Sequence, residues 1–345
     1  MTNSLRVWLA FALLCLIWGS SYLFIRVGLE QLTPLSLVAL RLLIGVLIIG
    51  GIVAARRHPL RVTRRQLCLL VALATVNTSA PFLLIAWGEV TVPSGLASVL
   101  NSTLPIFSVL LAAVVLRDEP LTLPRAGGVV LGFAGVLVLL SRDLAHAGIV
   151  WSGVAGQGAI VLASLCYAIA AVFTRRTLRG VPSMTIATWV LIASAAQTVL
   201  LSFIFSPPAI SSLTFRTVFA VLWLGVLGSG VAYILAFFIL ENWGASRYTF
   251  VAYMLPVVGL TLGAIFLHEV IDWRILAGSV LVVAGVVMSS IVRGRAEPAT
   301  EEPLDARASA TDHGVASAAA PRPQDMRSLA PATDLPPAEI GDGAT

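Results

Sequence analysis

LPIFSVLLAAVVLRDEPLT at residues 104–122 and LPVVGLTLGAIFLHEVIDW at residues 255–273 are the two stretches on which the fold turns. Each is an apolar run opened by Leu-Pro and closed by an acidic residue. After Pro105 come Glu119, Gly128 and Gly135; after Pro256 come Glu269, Gly278 and Gly285. The Glu-to-Gly-to-Gly intervals are nine and then seven residues in both, and the Pro-to-Glu intervals differ by one. Both stretches span the last two apolar segments of a half of the chain, so the markers read as an internal repeat.

Outward from this pair the whole chain is apolar. Of 345 residues, 58% are hydrophobic and 11% charged, and mean hydropathy is +0.95. A soluble domain needs far more surface charge, so lipid is the main solvent. Stretches of about 20 apolar residues bounded by charge, Gly or Pro fall at 7–28, 35–54, 67–87, 94–116, 126–141, 152–173, 184–205, 217–240, 246–267 and 274–292. The fifth is short and fits a thin or buried position. Val129 to Leu140 shows no barrel-type alternation, and a backbone crossing lipid must satisfy its own hydrogen bonds, so the segments are helices. No small-x-small cleavage site follows the first, which therefore reads as a retained span rather than a signal peptide.

The expected fold is all-α integral membrane with ten transmembrane helices. Residues 1–144 form a first repeat of five, residues 145–294 a second, and residues 295–345 an acidic, Ala- and Pro-rich cytoplasmic tail whose composition predicts disorder. Five is odd, so the second half enters from the opposite side and the repeat is inverted, as in secondary carriers. All 22 basic residues are Arg, and with a cytoplasmic N-terminus fourteen fall in or near inner turns against four outside. That bias places the protein in the cell inner membrane with both termini cytoplasmic.

Polar side chains inside such spans mark a pathway or tie helices together. The richest cluster is Asn77, Thr78 and Ser79 beside Pro81, with Asn101, Ser102 and Thr103 beside Pro105. Proline frees a helical carbonyl, so Pro81, Pro105 and Pro256 are candidate hinges or gates. Trp18, Ser20, Ser21, Tyr22, Ser164, Tyr167, Ser229, Tyr233 and Tyr253 extend the candidate lining with rings that suit amphipathic metabolites; Tyr248 fits a membrane belt equally well. Arg41 lies some seven residues inside the second span and reads as a structural arginine near the outer face, with orientation of an anionic substrate as the alternative. Glu89 and Glu241 stand near span ends, where solvation is expected. Glu119 and Glu269 are expected to steady equivalent turns by accepting N–H bonds at the start of the next helix. Gly128, Gly132 and Gly135, with Gly278 and Gly285, make small-residue steps for close helix contact within the chain.

Several classes are disfavoured. Cys15, Cys68 and Cys166 are dispersed and offer neither disulfide framework nor metal spacing. A Walker loop, HExxH, CxxC and a nucleophile elbow are all missing from the sequence, so no enzyme, cofactor or metal is implied. The basic residues are scattered over turns, which points away from nucleic acid.

The stretches IWGSSYLFIRVGL (17–29), ASVLNSTLPIF (97–107), RDEP (117–120), LPVVG (255–259), HEV (268–270) and GSVLVVAGVVM (278–288), with Pro34 and Arg41, resemble the drug/metabolite transporter superfamily, EamA-type ten-helix carriers. The resemblance covers nearly all of residues 8–292 and implies two EamA repeats, with spans one, three, four, six, eight and nine around a central cavity. It also implies transport of small metabolites such as amino acids, amphipathic compounds or drugs, with efflux as the preferred direction. Small four-helix relatives carry a membrane glutamate in their first helix; this chain has no acid before Glu30, which argues against their cation/proton antiport mechanism. A passive channel and a non-transporting scaffold are the alternatives. Proton or ion coupling, and a monomer or a homodimer, stay open.

Overall fold

The computed structural model describes residues 3–115, 122–145, 151–207, 213–248 and 250–291. The proposed tail at 295–345 and Glu119 lie outside these, as does the side chain of Glu241. Among the described residues the chain is helical throughout, with no strand. The helices are α1 (Asn3–Gly28), α2 (Pro34–Ala55), α3 (Arg64–Gly88), α4 (Ser94–Val115), α5 (Leu123–Ala145), α6 (Trp151–Thr177) and α7 (Ser183–Phe205). They continue with α8, built from Phe215–Leu222, Trp223–Val231 and Ala232–Tyr248, then α9 (Phe250–Phe266) and α10 (Trp273–Ile291). The first eight contain stretches long and apolar enough to cross a membrane, and α9 and α10 are shorter apolar helices. The protein is a multi-pass membrane protein.

Local chemistry sets several helix starts. Thr33 caps α2, accepting from the Ser36 N–H ahead of Pro34 in the first turn, while Thr63 and Gln66 close a reciprocal capping box on α3. Thr214 caps α8 by accepting from the Thr217 N–H. Two boundaries differ from the sequence expectation. The fifth helix is not short, because it continues through Ser141 to Ala145; polar residues end an apolar run without ending a helix. The eighth continues a few residues past the expected end at 240 and stops at Gly244, whose φ 76° and ψ 170° are non-helical and suit a residue without a side chain; residues 245–248 lie across that kink, where the ninth was expected to open.

Among the described residues two helices carry π-helical turns, Thr75–Ser79 in α3 and Trp223–Val231 in α8. The first precedes Pro81. A proline ring clashes with the carbonyl four residues back, and widening the turn relieves that clash: the Ala80 N–H reaches back to the Thr75 carbonyl. The second contains Gly225, Gly228 and Gly230, where the helix lies so close to α2 that a Cβ at Gly225 or Gly230 would sit 2.6 or 2.7 Å from Ile44 or Ile48. In α4 the helix breaks at Ser102–Thr103 and restarts at Leu104, which places Pro105 in a first turn where its missing N–H costs little.

Packing of the ten helices has a reciprocal pattern. α1 lies on α9 and α4 on α6; α2 lies on the π turn of α8 and α7 on α3; α1 lies on α8 and α6 on α3; α2 meets α7, and α5 meets α10. Exchanging the first five helices for the last five maps these particular pairs onto one another. The α5–α10 seam is made by the glycines singled out in the sequence. A Cβ at Gly128 would lie 2.6 Å from the Gly285 carbonyl, one at Gly135 2.8 Å from the Gly278 carbonyl, and one at Gly285 2.5 Å from the Gly132 nitrogen. These residues bring the backbones of α5 and α10 together within the chain. Large apolar side chains such as Leu47, Val114 and Phe203 face outward, while Ser, Thr and Asn side chains are buried between helices, as expected where lipid is the solvent.

Candidate functional site

Buried polar groups converge where α1, α2, α3, α4, α6 and α8 meet. Tyr22 on α1 accepts a hydrogen bond at 2.8 Å from the Nδ2 of Asn101, which stands at the end of the first segment of α4. The α4 break leaves the Asn101 carbonyl without its usual helical partner, and Ser164 of α6 donates to it at 3.1 Å. Arg41 of α2 donates from Nε to the Ser229 hydroxyl in the α8 π turn at 2.9 Å. Its guanidinium lies over the Phe82 ring of α3, 4.1 Å from the centroid. Tyr22, Tyr167 and Tyr233 all stand close enough to feel its charge. Arg41 is 5% exposed and Asn101 8%. Arg41 is therefore buried beside the pathway candidates Ser21 and Ser229.

The other candidates divide. Ser21 bonds its own helix at the Ile17 carbonyl and faces Gly228 beside Arg41. Thr78 is buried beside Tyr233. Asn77 and Tyr233 line a crevice of about 230 Å³, with Leu73, Thr174, Ser183 and Phe237, on the side of the bundle that carries Arg175, Arg176 and Arg179. Trp18 donates to the Gly228 carbonyl at 3.3 Å and meets Tyr248 edge-on, tying α1 to α8. Ser20 points away from the cluster, accepting from Trp223 at 3.0 Å along a second, apolar cleft between α1, α8 and α9. Ser79 is helix glue, donating to Gln197 of α7 at 2.7 Å. Ser102 and Thr103 bond carbonyls three residues back and steady the α4 break. Tyr253 packs edge-on to Phe250, and Pro256 is buried within α9, which continues past it. Phe82, Gln197 and the α8 π turn were not singled out from sequence. The Gly225, Gly228 and Gly230 spacing was the available signal for the last.

Two glutamates depart from expectation. Glu269 does not serve the helix that follows it. Its carboxylate accepts from the Ser94 and Gly95 N–H groups at 2.7 and 2.9 Å, capping α4 from the far end of the sequence. Glu89, in the turn just beyond α3, is fully buried instead of solvated, and neither carboxyl oxygen has a hydrogen-bond partner among the described residues. The turn is drawn inward because Arg26 donates to the backbone carbonyls of Glu89 and Val90, and because Gly88 lies against Gly156 of α6. Burial pushes the Glu89 carboxyl well above the usual carboxylate range; Glu269 adds to the rise, and Arg26 and Arg41 oppose it.

Among the described residues no group of His, Cys, Asp or Glu is placed to hold a metal ion. A model of the EamA-like transporter family matches residues 6–141 and again residues 154–291. An uncharacterized transporter of Bacillus subtilis, YoaV, is 27% identical over 84% of this chain and 98% of its own. A probable terminal-alkyne amino-acid exporter of Streptantibioticus cattleyicolor is 28% identical over 84% of this chain and 94% of its own. One solved crystal structure aligns over 85% of this chain and 99% of its own with a TM-score of 0.60 at 23% identity, a likeness of fold.

Proposed function

We propose, for a chain that belongs to the EamA-like transporter family, a secondary carrier of small metabolites that works by alternating access. Its premise is the reading of ten transmembrane helices as two inverted five-helix repeats, 1–144 and 145–294, in the cell inner membrane with both termini cytoplasmic. The reciprocal helix contacts support that reading, as do the two separate family matches. Two halves related in this way can exchange conformations and open one central site to each side in turn.

The observation that carries the proposal is the cluster of Tyr22, Arg41, Asn101, Ser164, Ser229 and Tyr233, contributed by both halves at the level of two π turns and a helix break. Broken backbone inside a membrane is tolerated where it lines a cavity or is buried in protein. Amino acids and other amphipathic metabolites suit its mixture of rings and polar groups, and the exporter among the relatives favours efflux. The burial of Glu89 supports a role for it in coupling flux to protons.

An untargeted metabolite comparison between cells lacking and cells overproducing the protein should nominate a cargo. Its uptake into proteoliposomes, with and without a proton gradient, should then saturate and show counterflow. Large single-channel currents would overturn the carrier in favour of a pore.

A further inference from the structure

Arg41 is the one side chain of the central cluster that carries a fixed charge, and among the described residues nothing neutralises it by contact. Its Nε donates to Ser229, and its face is covered by Phe82. The two terminal nitrogens make no hydrogen bond or ion pair among the described residues. Glu89 is the nearby acid, yet its oxygens accept no hydrogen bond either, so the two groups do not meet. A cation held two turns inside a helix within lipid, 5% exposed, calls for an anionic partner.

Space for that partner is kept by Gly228. A Cβ there would stand 3.3 Å from Arg41 Nη2 and 3.4 Å from Ser21 Oγ, crowding the edge of the guanidinium. The planar fork of two N–H-bearing nitrogens matches a carboxylate in bidentate fashion. Tyr22, Tyr167 and Tyr233 stand within electrostatic reach of it. Tyr233 also lines the 230 Å³ crevice, a volume that suits a compound of amino-acid size.

From this geometry we infer that Arg41 is the anchor of a carboxylate-binding site, so the cargo bears a carboxylate and is anionic or zwitterionic rather than a simple organic cation. The inference rests on the carrier reading and narrows its cargo.

The test uses the purified full-length protein in proteoliposomes and three probe sets: the protein amino acids, the corresponding amino-acid amides in which the carboxylate is blocked, and ethidium. The wild-type protein should move one or more of the acids and move the matching amide at least tenfold more slowly. Arg41→Gln should lower acid flux at least tenfold at equal reconstituted protein, and Arg41→Lys, which keeps the charge and loses the fork, should fall between. If Arg41→Gln does not insert, the wild-type acid-to-amide ratio alone decides. Amides moved as fast as acids, or a folded Arg41→Gln with unchanged acid flux, would overturn the site. Movement of ethidium alone would overturn the site and leave the carrier standing, whereas movement of none of the three sets would overturn the carrier and the site together.

Discussion

Gly285→Ala tests the α5–α10 seam. An added Cβ would lie 2.5 Å from the Gly132 nitrogen, 2.6 Å from the Gly128 carbonyl oxygen and 2.7 Å from the Gly132 Cα. All three are backbone atoms, so no side chain can turn aside. Ordinary contact begins near 3.4 Å, and the helices must part by about 0.9 Å to clear the nearest atom at 2.5 Å, a separation that also loosens the Gly135–Gly278 contact. Overpacking of this kind costs about 1–3 kcal/mol. The same exchange gains up to about 1 kcal/mol from helix propensity, which partly masks the strain. Gly51→Ala on α2 supplies the reference, because nothing lies within 4 Å of its would-be Cβ; it should be neutral or slightly stabilising. The difference in melting temperature between the two purified variants, followed by tryptophan fluorescence in detergent, therefore isolates the seam. Gly285→Ala should melt several degrees below Gly51→Ala. If the two melt within a degree of each other, the backbone contact between α5 and α10 is wrong, and with it the pairing of the glycines across halves.

Glu269→Ala leaves the Ser94 and Gly95 N–H groups without their acceptor in a buried place and should cost about 3 kcal/mol; a melting temperature unchanged from wild type would reject the cap. The raised Glu89 carboxyl gives a signed pH effect: above its ordinary value of 4.5 the folded protein keeps a proton that the unfolded chain has lost. Stability should then fall as pH rises through that window, by up to about 1.4 kcal/mol per unit. Glu89→Gln should flatten the slope of melting temperature against pH, and a slope equal to wild type would show that Glu89 is not its source. Asn101→Ala removes the donor to Tyr22 and Trp18→Ala the tie to Gly228. Each should lower the initial transport rate about tenfold, or about 1.4 kcal/mol, with protein abundance within a factor of two, as measured by flux normalised to immunoblot.

Much of this was legible in the chain. Apolar runs gave the helices because a backbone in lipid has to satisfy its own hydrogen bonds, and the boundaries that slipped did so where sequence polarity and helix geometry part company. Ser141 to Ala145 are polar enough to end a hydropathy run while the helix continues. Gly244 separates two helices across a kink, but a lone glycine in an apolar run does not show in sequence that a helix stops there. The candidate lining was readable as residue types, but facing was not: Ser20, Ser21 and Tyr22 are adjacent, and only the latter two turn to the central cluster. Ser79 stands next to Thr78 and binds α7 instead.

By itself the sequence determined that lipid is the solvent, that apolar helices cross it, and that Glu269, Gly278 and Gly285 repeat the spacing of Glu119, Gly128 and Gly135. These are properties of composition and interval, which need no partner to be read. The tertiary structure decided what the described markers touch: the glycines meet across the α5–α10 seam, Glu269 caps α4 175 residues earlier in the chain, Glu89 turns inward, and Arg41 reaches Ser229 and Phe82 without meeting an acid among the described residues. Spacing along one helix fixes the angle between side chains but not which face meets which neighbour. That choice is made by close packing between segments far apart in sequence.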